Sequence, residues 1–144
     1  MKTHMNLATT DLGKSVQFYS ALLEAQPKKL LGDYALFITE QPGLELALNV
    51  NGRVSPSSDV HYGLYVDSTD EVERAIDRLE LAGLVASIER EETCCYAQQT
   101  KVWAIDPDGR RWEVYTVHQE TEERDPAETD CCSAGGGDRS CCAA

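Results

Sequence analysis

The sequence predicts an α+β domain of two βαβββ modules that form a half-barrel around a metal site, followed by a disordered, cysteine-rich C-terminal tail. Three observations carry this. The order strand, helix, strand, strand, strand is stated twice before His118; His4 and His61 fall at matching positions of the two copies; and all six cysteines occur as adjacent pairs.

The first module spans residues 1–52. Its opening strand is expected over about Lys2 to Thr9. A helix follows over about Asp11 to Glu24, where Leu12, Val16, Tyr19, Leu22 and Leu23 recur at helical spacing. Three short strands complete it near Pro27 to Leu31, Tyr34 to Glu40 and Leu44 to Val50. The second module spans residues 59–118 and begins with a strand over Val60 to Val66. Its helix, Ser68 to Ala82, opens with the capping box Ser68-Thr69-Asp70-Glu71 and closes at Gly83. Strands near Leu84 to Arg90, Tyr96 to Ile105 and Arg110 to Val117 finish the copy. Together these make a domain over 1–118. Residues 119–144 lack apolar periodicity and read as a disordered acidic tail with a Gly135-Gly136-Gly137 run. Two such halves wrap their sheets around one concavity with both helices outside, and a site is expected at its mouth.

Strand alternation assigns side chains to faces. In the first strand Met5 and Leu7 pack on a helix, leaving His4, Asn6 and Ala8 toward the cavity. In the repeat Tyr62, Leu64 and Val66 pack, leaving His61, Gly63 and Tyr65. In the last strand Trp112, Val114 and Thr116 form the packed face, so Glu113 shares the other with Arg111 and Tyr115. Four residues past the turn glycine stand Glu113 after Gly109 and Ala47 after Gly43, so the fourth symmetric position has no ligand to offer. Two imidazoles and one carboxylate with open positions are the donor set of non-haem Fe(II) oxygenases. His4, His61 and Glu113 are therefore the predicted metal ligands and catalytic residues, with Fe(II) as cofactor. His118 reads as a surface residue.

The pairs Cys94-Cys95, Cys131-Cys132 and Cys141-Cys142 point to soft, thiol-seeking chemistry. Neighbouring Cα atoms sit about 3.8 Å apart, short of the roughly 4.4–6.8 Å of a relaxed disulfide, but adjacent thiolates close a small chelate on one soft atom. Adjacent residues of a regular strand point to opposite faces. Glu91 to Cys95 is therefore expected to be a loop or bend, one able to close on binding; Lys101 would favour thiolate if it stood beside the pair, which spacing alone does not show.

Composition bounds the rest. Acidic residues number 25 against 13 basic, for a formal net charge of −12, which argues against a nucleic-acid partner. No apolar run is long enough to span a membrane. The N-terminus has no signal-peptide core. The expected compartment is the cytoplasm, where thiols stay reduced, and a homodimer is the assembly expected if the chain associates.

Over about Met1 to His118 the chain resembles the vicinal-oxygen-chelate superfamily, the glyoxalase, bleomycin-resistance and extradiol dioxygenase group. Thr93-Cys94-Cys95-Tyr96-Ala97-Gln98, continued by Lys101-Val102-Trp103 and Asp106-Pro107-Asp108-Gly109-Arg110-Arg111-Trp112-Glu113-Val114-Tyr115, is similar to one branch. That branch holds the carbon–arsenic lyases that demethylate trivalent organoarsenicals, and the related cadmium-induced proteins; a cysteine-paired tail also resembles it. The resemblance implies iron ligands at His4, His61 and Glu113, arsenic-binding thiols at Cys94 and Cys95, and accessory metalloid-binding thiols at Cys131, Cys132, Cys141 and Cys142. It further implies a trivalent organoarsenical and dioxygen as reactants, with arsenite as product. The competing reading is a non-catalytic protein that sequesters cadmium or arsenite, against which the three intact ligands weigh. A glyoxalase-type isomerase is weakened by Ala47, and metal-free antibiotic binding leaves both the triad and the thiols unexplained.

Overall fold

The computed structural model describes residues 1–122, with Cys94 described by its backbone alone. The first module comprises β1 (Thr3–Thr9), α1 (Leu12–Leu23), β2 (Lys29–Leu30), β3 (Tyr34–Thr39) and β4 (Leu44–Val50). The second comprises β5 (His61–Tyr65), α2 (Thr69–Leu81), β6 (Val85–Cys94), β7 (Ala97–Ile105) and β8 (Arg111–Glu120). Each module forms a four-stranded sheet, ordered β1-β4-β3-β2 and β5-β8-β7-β6. The first strand of each copy runs parallel to the last and the others are antiparallel. The α+β fold of paired βαβββ modules is thus the observed one.

Both helices start where side chains satisfy their first amides. Asp11 Oδ1 accepts from Lys14 N at 3.0 Å. At α2, Ser68 Oγ accepts from Glu71 N, and the Glu71 carboxylate reaches back to accept from Asp67 N at 3.0 Å. Gly83, at φ +69°, ends α2 in the left-handed conformation that a side chain resists.

The helix-covered faces of the two sheets meet in one apolar core. Leu7, Phe37, Leu46 and Leu48 come from the first sheet and Val102, Ala104, Trp112 and Val114 from the second. Tyr19 of α1 joins them, edge-on to Trp112 with ring centroids 5.6 Å apart. Truncating a fully buried aromatic such as Trp112 costs about 3–5 kcal/mol. The faces away from this core are left for chemistry.

A polar latch locks the modules together at the β7–β8 turn. Tyr19 Oη donates to Asp106 Oδ2 at 2.7 Å, Arg110 Nη1 donates to the same oxygen at 2.9 Å, and Arg110 also donates to the Ala8 carbonyl. Thr10 donates through N and Oγ1 to Asp108 Oδ1, at 3.0 and 2.6 Å. Burial pushes the Asp108 carboxyl up, but the Thr10 and Thr9 hydrogen bonds and the Arg110 charge together hold it below the usual carboxylate value.

Two boundaries differ from expectation. Instead of a loop over Glu91 to Cys95, β6 stays paired with β7 out to Cys94, opposite Ala97. The ladder absorbs the charged run through a register shift between Glu89 and Glu92, with Glu91 at φ 54°. Cys95 and Tyr96, both at positive φ, form the two-residue hairpin turn. The final strand also passes the expected boundary at His118, because the lengthened hairpin offers Gln98 and Ala97 as partners for Gln119 and Glu120. The rest of the predicted tail, including Cys131, Cys132, Cys141 and Cys142, lies outside the described residues.

Candidate metal centre and thiol pair

The parallel register of β5 and β8 sets Gly63 opposite Glu113 and His61 opposite Arg111. His61 Nε2 and Glu113 Oε1 come to 3.6 Å, with the imidazole half-exposed and the carboxylate 9% exposed. The room for that carboxylate comes from Gly63. A Cβ at this position would lie 2.9 Å from Tyr115 Cε1 and 3.1 Å from Glu113 Oε1.

On the opposite side of the carboxylate, Lys101 Nζ stands 3.3 Å from Oε2, and Oε2 is buried and accepts no hydrogen bond. Lys101, 5% exposed, also lies 3.9 Å from Glu89 Oε2 and 5.5 Å from the Trp103 ring centre. Trp103 forms the middle of this face: His61 meets it edge-on at 5.3 Å, the Arg111 guanidinium sits 4.7 Å above it, and its Nε1 donates to Glu89 Oε1 at 2.9 Å. Glu92 lies in the same acidic neighbourhood, where burial and then Glu89 push its carboxyl up against the pull of Lys101.

His4 lies on the first sheet, on the face away from the core, half-exposed, with Nδ1 3.3 Å from Glu45 Oε1. The structure therefore brings His61 and Glu113 together and sets His4 against Glu45. Among the described residues no three His, Cys, Asp or Glu side chains converge closely enough to hold a cation. The His61–Glu113 pair nonetheless fits a metal. Two donors each about 2.1 Å from one ion lie about 3.0 Å apart at right angles and about 3.6 Å apart at 120°, and the observed separation of His61 Nε2 from Glu113 Oε1 is too long for a hydrogen bond.

The backbone of Cys94 and Cys95 lies farther along the sheet. Cys94 sits opposite Ala97, whereas Glu113 sits opposite Trp103, six residues farther along β7. That is about 20 Å at roughly 3.3 Å per residue. Cys95 is exposed in the turn. Lys101, whose place the spacing left open, stands beside Glu113 and Glu89. His118 is exposed, as expected, with Nε2 2.8 Å from Thr100 Oγ1.

Trp103 and Glu89 belong to this face beyond the residues predicted from the sequence. The alternation Gln99, Lys101, Trp103, opposite Val117, Tyr115 and Glu113, was the available signal for the former. A cavity of about 470 Å³ between the end of α1, the β3–β4 turn and the start of α2 contains none of the predicted site residues.

Residues 3–114 match the family described as Glyoxalase/Bleomycin resistance protein/Dioxygenase superfamily. The chain is 40% identical over 130 residues to a trivalent organoarsenical cleaving enzyme of Bacillus sp. (strain MD1), spanning 90% of this chain and 81% of that protein. It is 40% identical over 121 residues to the cadmium-induced protein CadI of Mycobacterium tuberculosis (strain ATCC 25618 / H37Rv), spanning 84% and 79%. Among solved structures, a glyoxalase/bleomycin resistance protein/dioxygenase from Alicyclobacillus acidocaldarius superimposes with a TM-score of 0.67 at 16% identity, covering 83% of this chain and 92% of that one; at this identity the likeness concerns the fold alone. The profile match and the relatives, taken with the paired modules, lead to one conclusion: the chain belongs to the glyoxalase/bleomycin resistance protein/dioxygenase superfamily.

Proposed function

We propose that this protein cleaves the carbon–arsenic bond of trivalent organoarsenicals, releasing arsenite, as an Fe(II)-dependent dioxygenase. Relatives at 34–40% identity bear the name trivalent organoarsenical cleaving enzyme, which supports the bond cleaved. The observation that carries the metal half of the reading is the buried Glu113 carboxylate, set 3.6 Å from His61 in space that Gly63 keeps open. His61, Glu113 and His4 are the residues proposed to hold Fe(II), which when bound supplies the activation of dioxygen.

The protein's own residues do the rest. Cys94 and Cys95 exchange the two hydroxyls of R-As(OH)2 for thiolates, releasing two waters and leaving the carbon–arsenic bond as the third bond to arsenic. The distance along β7 requires the hairpin tip to fold over the sheet before that bond meets the metal. The two register shifts that flank the tip, Glu89/Glu92 and Gln98/Gln99, are where such a bend is cheapest. Trp103 and Arg111 offer an aromatic floor and a cation beside His61. The reading places the protein in the reducing cytoplasm. Among the described residues no helix is long and apolar enough to cross a membrane.

The test separates the two halves of the site. His61→Ala should remove iron binding and turnover while trivalent arsenic still binds stoichiometrically. Aerobic cleavage by the metal-free variant would refute the metal assignment.

A further inference from the structure

We propose that Lys101 is a positioning residue that restricts Glu113 to one oxygen toward the metal, and so keeps a coordination position open for the reactants. This rests on the reading of His61 and Glu113 as metal donors.

The two oxygens of Glu113 have different surroundings. Oε1 faces His61 Nε2 at 3.6 Å, on the side where Gly63 leaves space. Oε2 faces the Lys101 ammonium at 3.3 Å, on the buried side. Both side chains are enclosed, at 7 and 9% exposure, so solvent screens the attraction weakly. The register makes the arrangement a property of the sheet. Trp103 is the residue opposite Glu113, and Lys101, two residues along β7 and opposite Tyr115, reaches the carboxylate diagonally. Glu89, opposite Lys101 on β6 and 3.9 Å away, holds the ammonium from its other side.

The chemical consequence concerns vacancies. A carboxylate binding through both oxygens fills two positions around a cation, and one binding through a single oxygen fills one. A one-oxygen carboxylate beside His61 leaves one more position open than a two-oxygen one, as an oxygenase needs. A fixed positive charge against Oε2 disfavours a cation on that oxygen and leaves Oε1 for the metal. The cost is weaker metal binding, because the same ammonium repels the incoming ion.

The full chain is titrated anaerobically with Co(II), the visible d–d band of bound cobalt reporting coordination number. Wild-type protein should give an intense, low-coordinate band. Lys101→Met should bind Co(II) at least about tenfold more tightly and give a weakened, higher-coordinate band, and Lys101→Arg should restore the wild-type spectrum. Identical affinity and spectrum in wild type and Lys101→Met would overturn the proposal. A second measurement needs no variant. On Co(II) binding, the infrared carboxylate stretches of 13C-glutamate-labelled wild type should split widely, as one-oxygen ligation requires, and a narrow splitting would overturn the proposal even if Lys101→Met failed to fold. Absence of Co(II) binding by the wild type would instead refute the metal reading on which the proposal stands.

Discussion

Gly63 offers the sharpest perturbation of the centre, because the substitution adds one methyl group and removes no ligand. In Gly63→Ala the new Cβ meets Tyr115 Cε1 at 2.9 Å and Glu113 Oε1 at 3.1 Å, with Glu113 Cγ at 3.4 Å. Carbon atoms rest at about 3.5–4.0 Å, so both side chains must retreat by several tenths of an ångström. Tyr115 is half-buried, and its ring packs edge-on against the exposed Tyr65 at 5.6 Å rather than against the core. The expected stability cost is accordingly at the low end of overpacking, about 1 kcal/mol, or a fall in Tm of about 3–5 °C. Glu113 has less freedom, held between His61 and Lys101, and its displacement should lower Fe(II) affinity by about 10–100-fold, the usual effect of disturbing what orients a ligand. Gly32→Ala is the control, since nothing lies within 4 Å of its added Cβ. Thermal melts and anaerobic Fe(II) titrations of the three proteins decide the matter. Wild-type iron affinity in a folded Gly63→Ala protein would show that the space beside Glu113 Oε1 is not where the metal binds.

Cys94→Ser and Cys95→Ser should each abolish turnover of trivalent arsenicals while leaving fold and iron binding unchanged, since a hydroxyl is a poor ligand for a soft metalloid; full activity in either variant, measured as arsenite release, would remove that thiol from the mechanism. Truncation after Glu122 keeps β8 whole and the hydrogen bond from Thr121 N to Tyr96 O at 2.7 Å. It should preserve most of kcat and lower the number of arsenite or cadmium equivalents bound, and loss of turnover in a folded, iron-loaded truncation would bring a tail cysteine into the active site. Asp108, held below its ordinary value of 3.8, contributes stability that is present above about pH 4 and is lost as pH falls through the lower folded value. Melts across the acid range should show a shallower loss of Tm below pH 4 in Asp108→Asn than in wild type, and parallel curves would mean the Thr10 latch does not favour the ionised form.

What could be read from the sequence follows from which signals are local. The capping residues Asp11 and Ser68, the helical recurrence of Tyr19 with Leu22 and Leu23, and strand alternation around His61 and Trp112 depend on near neighbours, and the elements formed where those signals stand. The pairing of His61 with Glu113 was also legible, since two strand alternations and the repeat put both on one face. The hairpin was not. Its length depends on a cross-strand register that accommodates an extra residue near Glu91, so a charged run that suggests a loop became a bulged strand that carries the Cys94–Cys95 backbone to its tip. Lys101 itself could not be assigned from spacing, because its contact with Glu113 is diagonal and needs the β7–β8 register.

On the proposed mechanism one chain joins iron, oxygen and a thiol-held arsenical to break a carbon–arsenic bond. To check this, the protein is loaded with Fe(II) without oxygen, mixed with methylarsenite, and then exposed to dioxygen while arsenite is followed. Arsenite should form only after oxygen enters, in proportion to bound iron, and should be absent with Glu113→Ala. Arsenite formed without oxygen, or at full rate by the iron-free protein, would rule out an iron-dependent oxygenase mechanism.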